Sequence, residues 1–125
     1  MRRFFVPLLS SASLFATSLL AAPSPVAEAF NNTIVSTYPD GRTGELWLQP
    51  GGGYTARGRR GDASSGHWKV KDGKLCLNQS RPIPAPFSYC TPIPGGGMNT
   101  AWSAKAVTGE AIQVRLVKGR YSGRG

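Results

Sequence analysis

Short stretches in which apolar and polar residues alternate recur along this chain, and turns rich in Gly, Pro and Asp separate them. The clearest stretch is residues 110–118, where Ile112, Val114 and Leu116 alternate with polar side chains. A period of two places successive side chains on opposite faces of a β-strand. The pattern therefore predicts strands that each bury one face.

A tight hairpin is predicted in the middle of the chain. Asp72-Gly73 is a strong signal for a type I′ turn, because both central residues of that turn need positive φ. A two-residue loop puts the apolar residues of both strands on one face and leaves Cys76 on the other. The predicted pairs are Lys71 with Lys74, Val70 with Leu75, Lys69 with Cys76 and Trp68 with Leu77.

The spacing of the alternating stretches predicts an all-β domain of about eight strands. We expect either a small antiparallel up-and-down barrel or a two-sheet β-sandwich, with Trp68 and Trp102 as core anchors. An eight-stranded barrel has an interior that is packed or holds one small ligand. Besides the two hairpin strands, the predicted strands are residues 33–38, 44–49, 54–59, 86–90, 100–107 and 110–118, with a flexible loop at 60–66.

The first 29 residues have the features of a secretory signal peptide: a basic start, an apolar run at residues 4–20 and small residues at 21–29. Cleavage is predicted after Ala29, which completes an A-x-A site, and a cut after Ala22 is the alternative. A permanent membrane anchor is the rival interpretation, but proline and hydroxyl side chains interrupt the apolar run. The sequence thus predicts a periplasmic or secreted protein.

For the chain that remains after this cleavage, we predict a single β-domain at residues 30–118 and a flexible basic tail at residues 119–125. Cys76 and Cys90 are the only cysteines, and an exported protein favours a structural disulfide between them. Their spacing, in a chain with one histidine, forms neither a C-x-x-C motif nor a zinc ligand set. No metal site and no cofactor are predicted.

The chain is strongly basic, with a net charge of +9. Such a charge favours an anionic partner, such as a cell-envelope component, although it also serves solubility. We do not expect a nucleic acid partner for an exported protein. The outward positions of the predicted strands supply a candidate surface for an anionic partner, which consists of Arg57, Arg59, Lys69, Lys71, Arg115 and Trp47.

The central hairpin carries a G-x-W-x-V-x-x-G-x-L-C pattern that resembles small exported proteobacterial β-domains of lipocalin-like shape, mostly of unknown function. It is also similar to part of the bacterial alkaline proteinase inhibitor family, exported eight-stranded barrels with one disulfide, whose inhibitory element is an N-terminal tail. In that family the disulfide joins an early cysteine, whereas here the partner is Cys90. The matching residues are Gly66, Trp68, Val70, Gly73, Leu75 and Cys76, followed by Cys90.

The sequence shows none of the arrangements that catalysis requires. His67 is the only histidine and occupies an outward strand position, and no spacing pairs two carboxylates. We therefore expect a non-enzymatic exported β-domain that binds a small apolar ligand or an anionic envelope partner. A secreted protease inhibitor and a structural envelope protein are the alternatives.

Overall fold

The computed structural model describes residues 24–121. Most of the predicted signal peptide, residues 1–23, and the last four residues of the predicted tail lie outside the described residues. A short 3-10 helix, Ala27–Ala29, precedes the strands. The strands are β1 (Thr33–Thr37), β2 (Thr43–Leu48), β3 (Gly53–Arg57), β4 (Ala63–Lys71), β5 (Lys74–Arg81), β6 (Tyr89–Pro92), β7 (Trp102–Lys105) and β8 (Ala111–Val117).

The eight strands form one antiparallel sheet in the order β6-β5-β4-β3-β2-β1-β8-β7. The two edge strands, β6 and β7, approach each other, and the Tyr89 hydroxyl donates a hydrogen bond to the Lys105 carbonyl across the gap. The sheet is therefore a nearly closed barrel, which is the first of the two predicted architectures. Among residues 24–121, no helix is long and apolar enough to cross a membrane.

The central hairpin has the predicted register. Asp72 and Gly73 both have positive φ, at 52° and 73°, as a type I′ turn requires. The strand pairing matches Trp68 with Leu77 and continues without a shift to the turn. On the opposite face, Cys76 lies directly across from Cys90 of β6, and the two form the predicted disulfide.

The prediction of a flexible loop at residues 60–66 is wrong for its second half. β4 begins at Ala63, and its first residues pair with β3, with Ser64 opposite Ala56 and Gly66 opposite Tyr54. Serine and glycine are typical of loops, but here the β3 backbone supplies hydrogen-bonding partners for this segment. Gly66 is required by its position, because a Cβ there would collide with the backbone of β5.

The two ends of the barrel differ. We call one end the mouth; it is formed by the β1–β2, β3–β4, β5–β6 and β7–β8 connections. We call the other end the floor; it contains the β2–β3, β4–β5 and β6–β7 connections and the segment before β1. Because neighbouring strands are antiparallel, alternate connections lie at the same end.

The floor is closed by the chain that precedes β1. Val26 and Ala29 have no exposed surface, and Met98 of the β6–β7 connection is 1% exposed beside them in the core. The Met98 amide donates a hydrogen bond to the Glu28 carboxylate at 3.1 Å. The Phe30 ring packs against Trp68 with 5.7 Å between centroids. Residues 26–30 thus pack with the strands, and the domain boundary at residue 30 stays a prediction.

Shortening a floor side chain should destabilise the domain. We expect Val26→Ala to lower the free energy of unfolding by about 2 kcal/mol, because it leaves a small void in a fully buried site. Val107→Ala is the matched control, since Val107 is 79% exposed and should change stability by less than about 0.5 kcal/mol. Urea unfolding followed by tryptophan fluorescence measures both, and equal effects would contradict a packed floor.

Candidate ligand-binding cavity

The barrel interior contains a cavity of about 340 Å³. This volume is within the range of small-molecule sites in proteins. The cavity reaches from Met98 and Leu75 near the floor to Phe87 and Val107 at the mouth. It exists because many inward positions have small residues, among them Ser36, Gly44, Ala56, Ser64, Ala104 and Ala106.

The cavity wall is mainly apolar, and the polar side-chain groups that face it are hydroxyls, one amide and the Trp102 indole N–H. Glu45 and Arg57 also border the cavity. The residues before and after each of them line the cavity too, so the alternation of side chains along a strand puts Glu45 and Arg57 on the outer face of the sheet. Burial raises the pKa of Tyr54 and of Tyr89, which favours the uncharged form of both phenols. The wall is therefore suited to an uncharged, largely apolar molecule.

Trp102 supplies the one indole group that lines this cavity. Its Nε1 is buried and has no hydrogen-bond acceptor within residues 24–121. A buried donor without an acceptor is unfavourable, so an acceptor atom on a bound molecule would improve this site. Both predicted core anchors are partly buried and pack against the core. Trp68 differs from Trp102, because its Nε1 donates to the Gln49 carbonyl at 2.8 Å.

The rim of the mouth is held by Arg59, which lies beyond the end of β3. Its guanidinium donates two hydrogen bonds to the Glu110 carboxylate, at 2.8 and 2.9 Å. It also lies 4.5 Å from the centre of the Tyr38 ring and 3.7 Å from the Asp40 carboxylate. One side chain thus connects the β1–β2, β3–β4 and β7–β8 connections.

These contacts change the titration of the rim residues. The hydrogen bonds from Arg59 and from the Thr108 hydroxyl hold the pKa of Glu110 below its ordinary value. Burial raises the pKa of Tyr38, and the nearby Arg59 charge opposes part of this effect. The Arg59 charge is therefore engaged inside the protein, although Arg59 was predicted to serve an anionic partner.

The other members of the predicted anionic-partner surface lie on separate parts of the barrel. Lys69 and Lys71 are exposed on β4 towards the floor. Arg57 is opposite Ala63 at the start of that strand, roughly 20 Å of strand from Lys69. Arg115 is exposed on β8, which three strands separate from β4. The structure does not bring these residues into one patch.

Trp47 was predicted to offer an exposed platform, and its ring is instead covered. The Arg120 guanidinium lies 4.1 Å from the ring centre. The indole Nε1 donates to Thr33 Oγ1, which also accepts the Tyr121 amide and donates to the Gly119 carbonyl, each at 2.8 Å. The first three residues of the predicted flexible tail are thus docked on β1 and β2.

No group of three or more His, Cys, Asp or Glu side chains close enough to hold a metal occurs in the described part of the chain. Comparisons with protein-family models, with curated proteins and with solved structures found no match for this chain. The cavity geometry and the surface chemistry are therefore the basis for inferring a function.

The Arg59 pair should make stability depend on pH. Because the pKa of Glu110 is lowered in the folded state, the pair stabilises fully above the unfolded pKa of about 4.3 and loses its effect as the pH falls through the folded value. We expect Glu110→Gln to lower the urea midpoint at neutral pH, and this difference to shrink in acid. Arg59→Gln should give the same profile, whereas a difference that is constant with pH would contradict the assignment.

Proposed function

We propose that this protein is an exported, non-enzymatic carrier that holds a small, uncharged and largely apolar molecule inside its barrel. The observation that supports this most directly is the cavity of about 340 Å³, closed at the floor and bordered at the mouth by Phe87 and Val107. A barrel of this size that served only as a scaffold would fill its interior with side chains.

The position of the N-terminal segment favours a carrier over a protease inhibitor of the tail-insertion type. Residues 24–30 are folded against the barrel, with Val26 and Ala29 buried in the floor. A segment that supplies core side chains is not free to enter the cleft of a protease. Sealing the floor is instead what a carrier needs, because a barrel open at both ends would let water reach the ligand.

Export is part of the proposal and rests on the residues of the first 29 positions together with the disulfide, which suits an oxidising compartment. The burial of Val26 and Ala29 in the floor supports a cleavage site before them. A cut after Ala29 would remove two core residues and the Glu28 carboxylate that binds the Met98 amide. Cleavage among the small residues at 21–24 would keep all three.

Filling the cavity should abolish ligand binding. The probe is N-phenyl-1-naphthylamine, a neutral dye whose fluorescence rises in apolar surroundings. We expect the wild-type protein to bind it, and Ala104→Phe to weaken binding at least about tenfold, because Ala104 lines the cavity.

The matched control is Ala111→Phe, since Ala111 is exposed on the outer face of β8 beside Lys105. This variant should bind the dye as the wild type does. A wild-type protein that binds no dye, or two variants that lose binding equally, would argue against a carrier. Thermal unfolding of both variants establishes that each is folded.

The mature N-terminus should lie before Val26. Mass spectrometry of the intact protein from its own exported fraction, without reducing agent, should give a mass that includes residues 26–29 and an oxidised cysteine pair. A mass that starts at Phe30 would show that the floor segment is not part of the mature domain. A full-length mass would contradict export by a cleaved signal peptide.

A further inference from the structure

Three large apolar side chains project into solvent at the mouth. Ile83 is 72% exposed, Phe87 82% and Val107 79%, and they are the strongly exposed large hydrophobic residues of the described chain. Ile83 and Phe87 belong to the β5–β6 connection, and Val107 belongs to the β7–β8 connection. β6 and β7 adjoin each other, Phe87 and Val107 both border the cavity, and Ile83 lies in the same short connection as Phe87, so we treat the three as one group. We call it the apolar corner.

The β5–β6 connection holds its two apolar side chains outward. Pro82, Pro84 and Pro86 alternate with the other residues of this loop, and each proline fixes its own φ. The Gln79 carbonyl accepts the Ala85 amide, and the Gln79 side chain donates to the Ile83 carbonyl, both at 2.9 Å. The exposure is thus a property of a braced loop, and little further ordering is needed when the corner binds a surface.

The charges around the apolar corner are positive. Arg81 and Lys105 are both exposed where β5 and β7 end. Residues 79–89 and 102–109 contain no acidic residue. The nearest acid along the chain is Glu110, and its carboxylate binds Arg59. Among the described residues, neither Arg81 nor Lys105 forms an ion pair. Apolar tips flanked by such cations suit a surface that is apolar inside and negatively charged outside.

We propose that the apolar corner docks on an anionic lipid bilayer, with Ile83, Phe87 and Val107 entering the acyl boundary and with Arg81 and Lys105 at the headgroups. A second copy of this chain is a poorer occupant, because two positive corners repel each other. Three side chains also bury at most about 500 Å², less than the roughly 800 Å² per partner in a stable protein interface. The docking stands independently of whether the cavity holds a ligand.

Docking in this orientation turns the cavity towards the membrane. Phe87 and Val107 belong both to the apolar corner and to the cavity wall, so the opening adjoins the acyl region when the corner is inserted. An apolar molecule could then pass between bilayer and barrel without crossing water. The floor, with the hairpin turn at Asp72, faces away from the membrane.

The experiment compares two charge reversals of equal size at opposite ends of the barrel. Arg81→Glu with Lys105→Glu changes the mouth, and Lys71→Glu with Lys74→Glu changes the floor; all four side chains are exposed. Binding of the full chain is measured by co-sedimentation with vesicles of phosphatidylcholine containing about 30% phosphatidylglycerol, and with pure phosphatidylcholine vesicles.

We expect the wild-type chain to bind the anionic vesicles. The mouth reversal should weaken this binding on the order of tenfold or more, since each basic residue near the membrane surface strengthens binding about fivefold. The floor reversal should weaken it by less than about threefold, because β4 alone spans about 25 Å and the Debye length is near 8 Å. Equal losses would show attraction by net charge alone and would overturn the proposal, as would an absence of binding.

A second variant tests the apolar part. Ile83→Ser with Phe87→Ser and Val107→Ser keeps every charge and should still weaken vesicle binding at least about tenfold. Unchanged binding would overturn insertion. Sedimentation velocity tests the rival occupant, a second copy of this chain. If the wild type is a dimer, the triple variant is a monomer and neither binds vesicles, the apolar corner is a self-association surface. Ala104→Phe should bind vesicles normally, which separates this result from the carrier test.

Discussion

The closed floor is the feature on which the rest of the molecule depends. Eight short strands with small inward side chains enclose a space that they do not fill. The residues before β1 and the β6–β7 connection seal one end with Val26, Ala29 and Met98. Because the core is concentrated there, the opposite end can remain open. A cavity with one entrance follows from the difference between the packed floor and the open mouth.

The mouth keeps its shape by polar contacts where the floor uses apolar packing. Arg59 joins three of the four connections at the mouth through Glu110, Asp40 and the Tyr38 ring. The fourth connection, between β5 and β6, is braced by prolines and by Gln79. In the proposed carrier the mouth must stay accessible to water and ligand, so it cannot be closed by a hydrophobic cluster. Charged and hydrogen-bonded groups hold its edges in place without a buried apolar cluster.

Local signals in the sequence were sufficient for the hairpin but not for the contacts made by distant segments. Asp72-Gly73 and the alternation around Trp68 determine the register of β4 and β5, and with it the face of the sheet on which Cys76 lies. By contrast, Arg59 meets a carboxylate 51 positions away. An alternating pattern assigns a side chain to the outer face of a strand, but it contains no information about which loop or terminus covers that face.

The packing of the floor segment was not predicted, because the same residues also fit a signal-peptide cleavage site. Ala27-Glu28-Ala29 satisfies the small-residue rule for a cleavage site, and small apolar side chains are also what a tight floor requires. The cavity had a similar ambiguity, because Ala, Ser and Gly at inward positions can indicate close packing as well as free space. Ala56 and Ala104 lie on well-separated strands of this barrel, so their small side chains leave a gap between opposite walls. Whether these small residues pack closely or leave free space depends on how the sheet closes. Closure depends on contacts between β6 and β7, which cannot be predicted from a local sequence pattern.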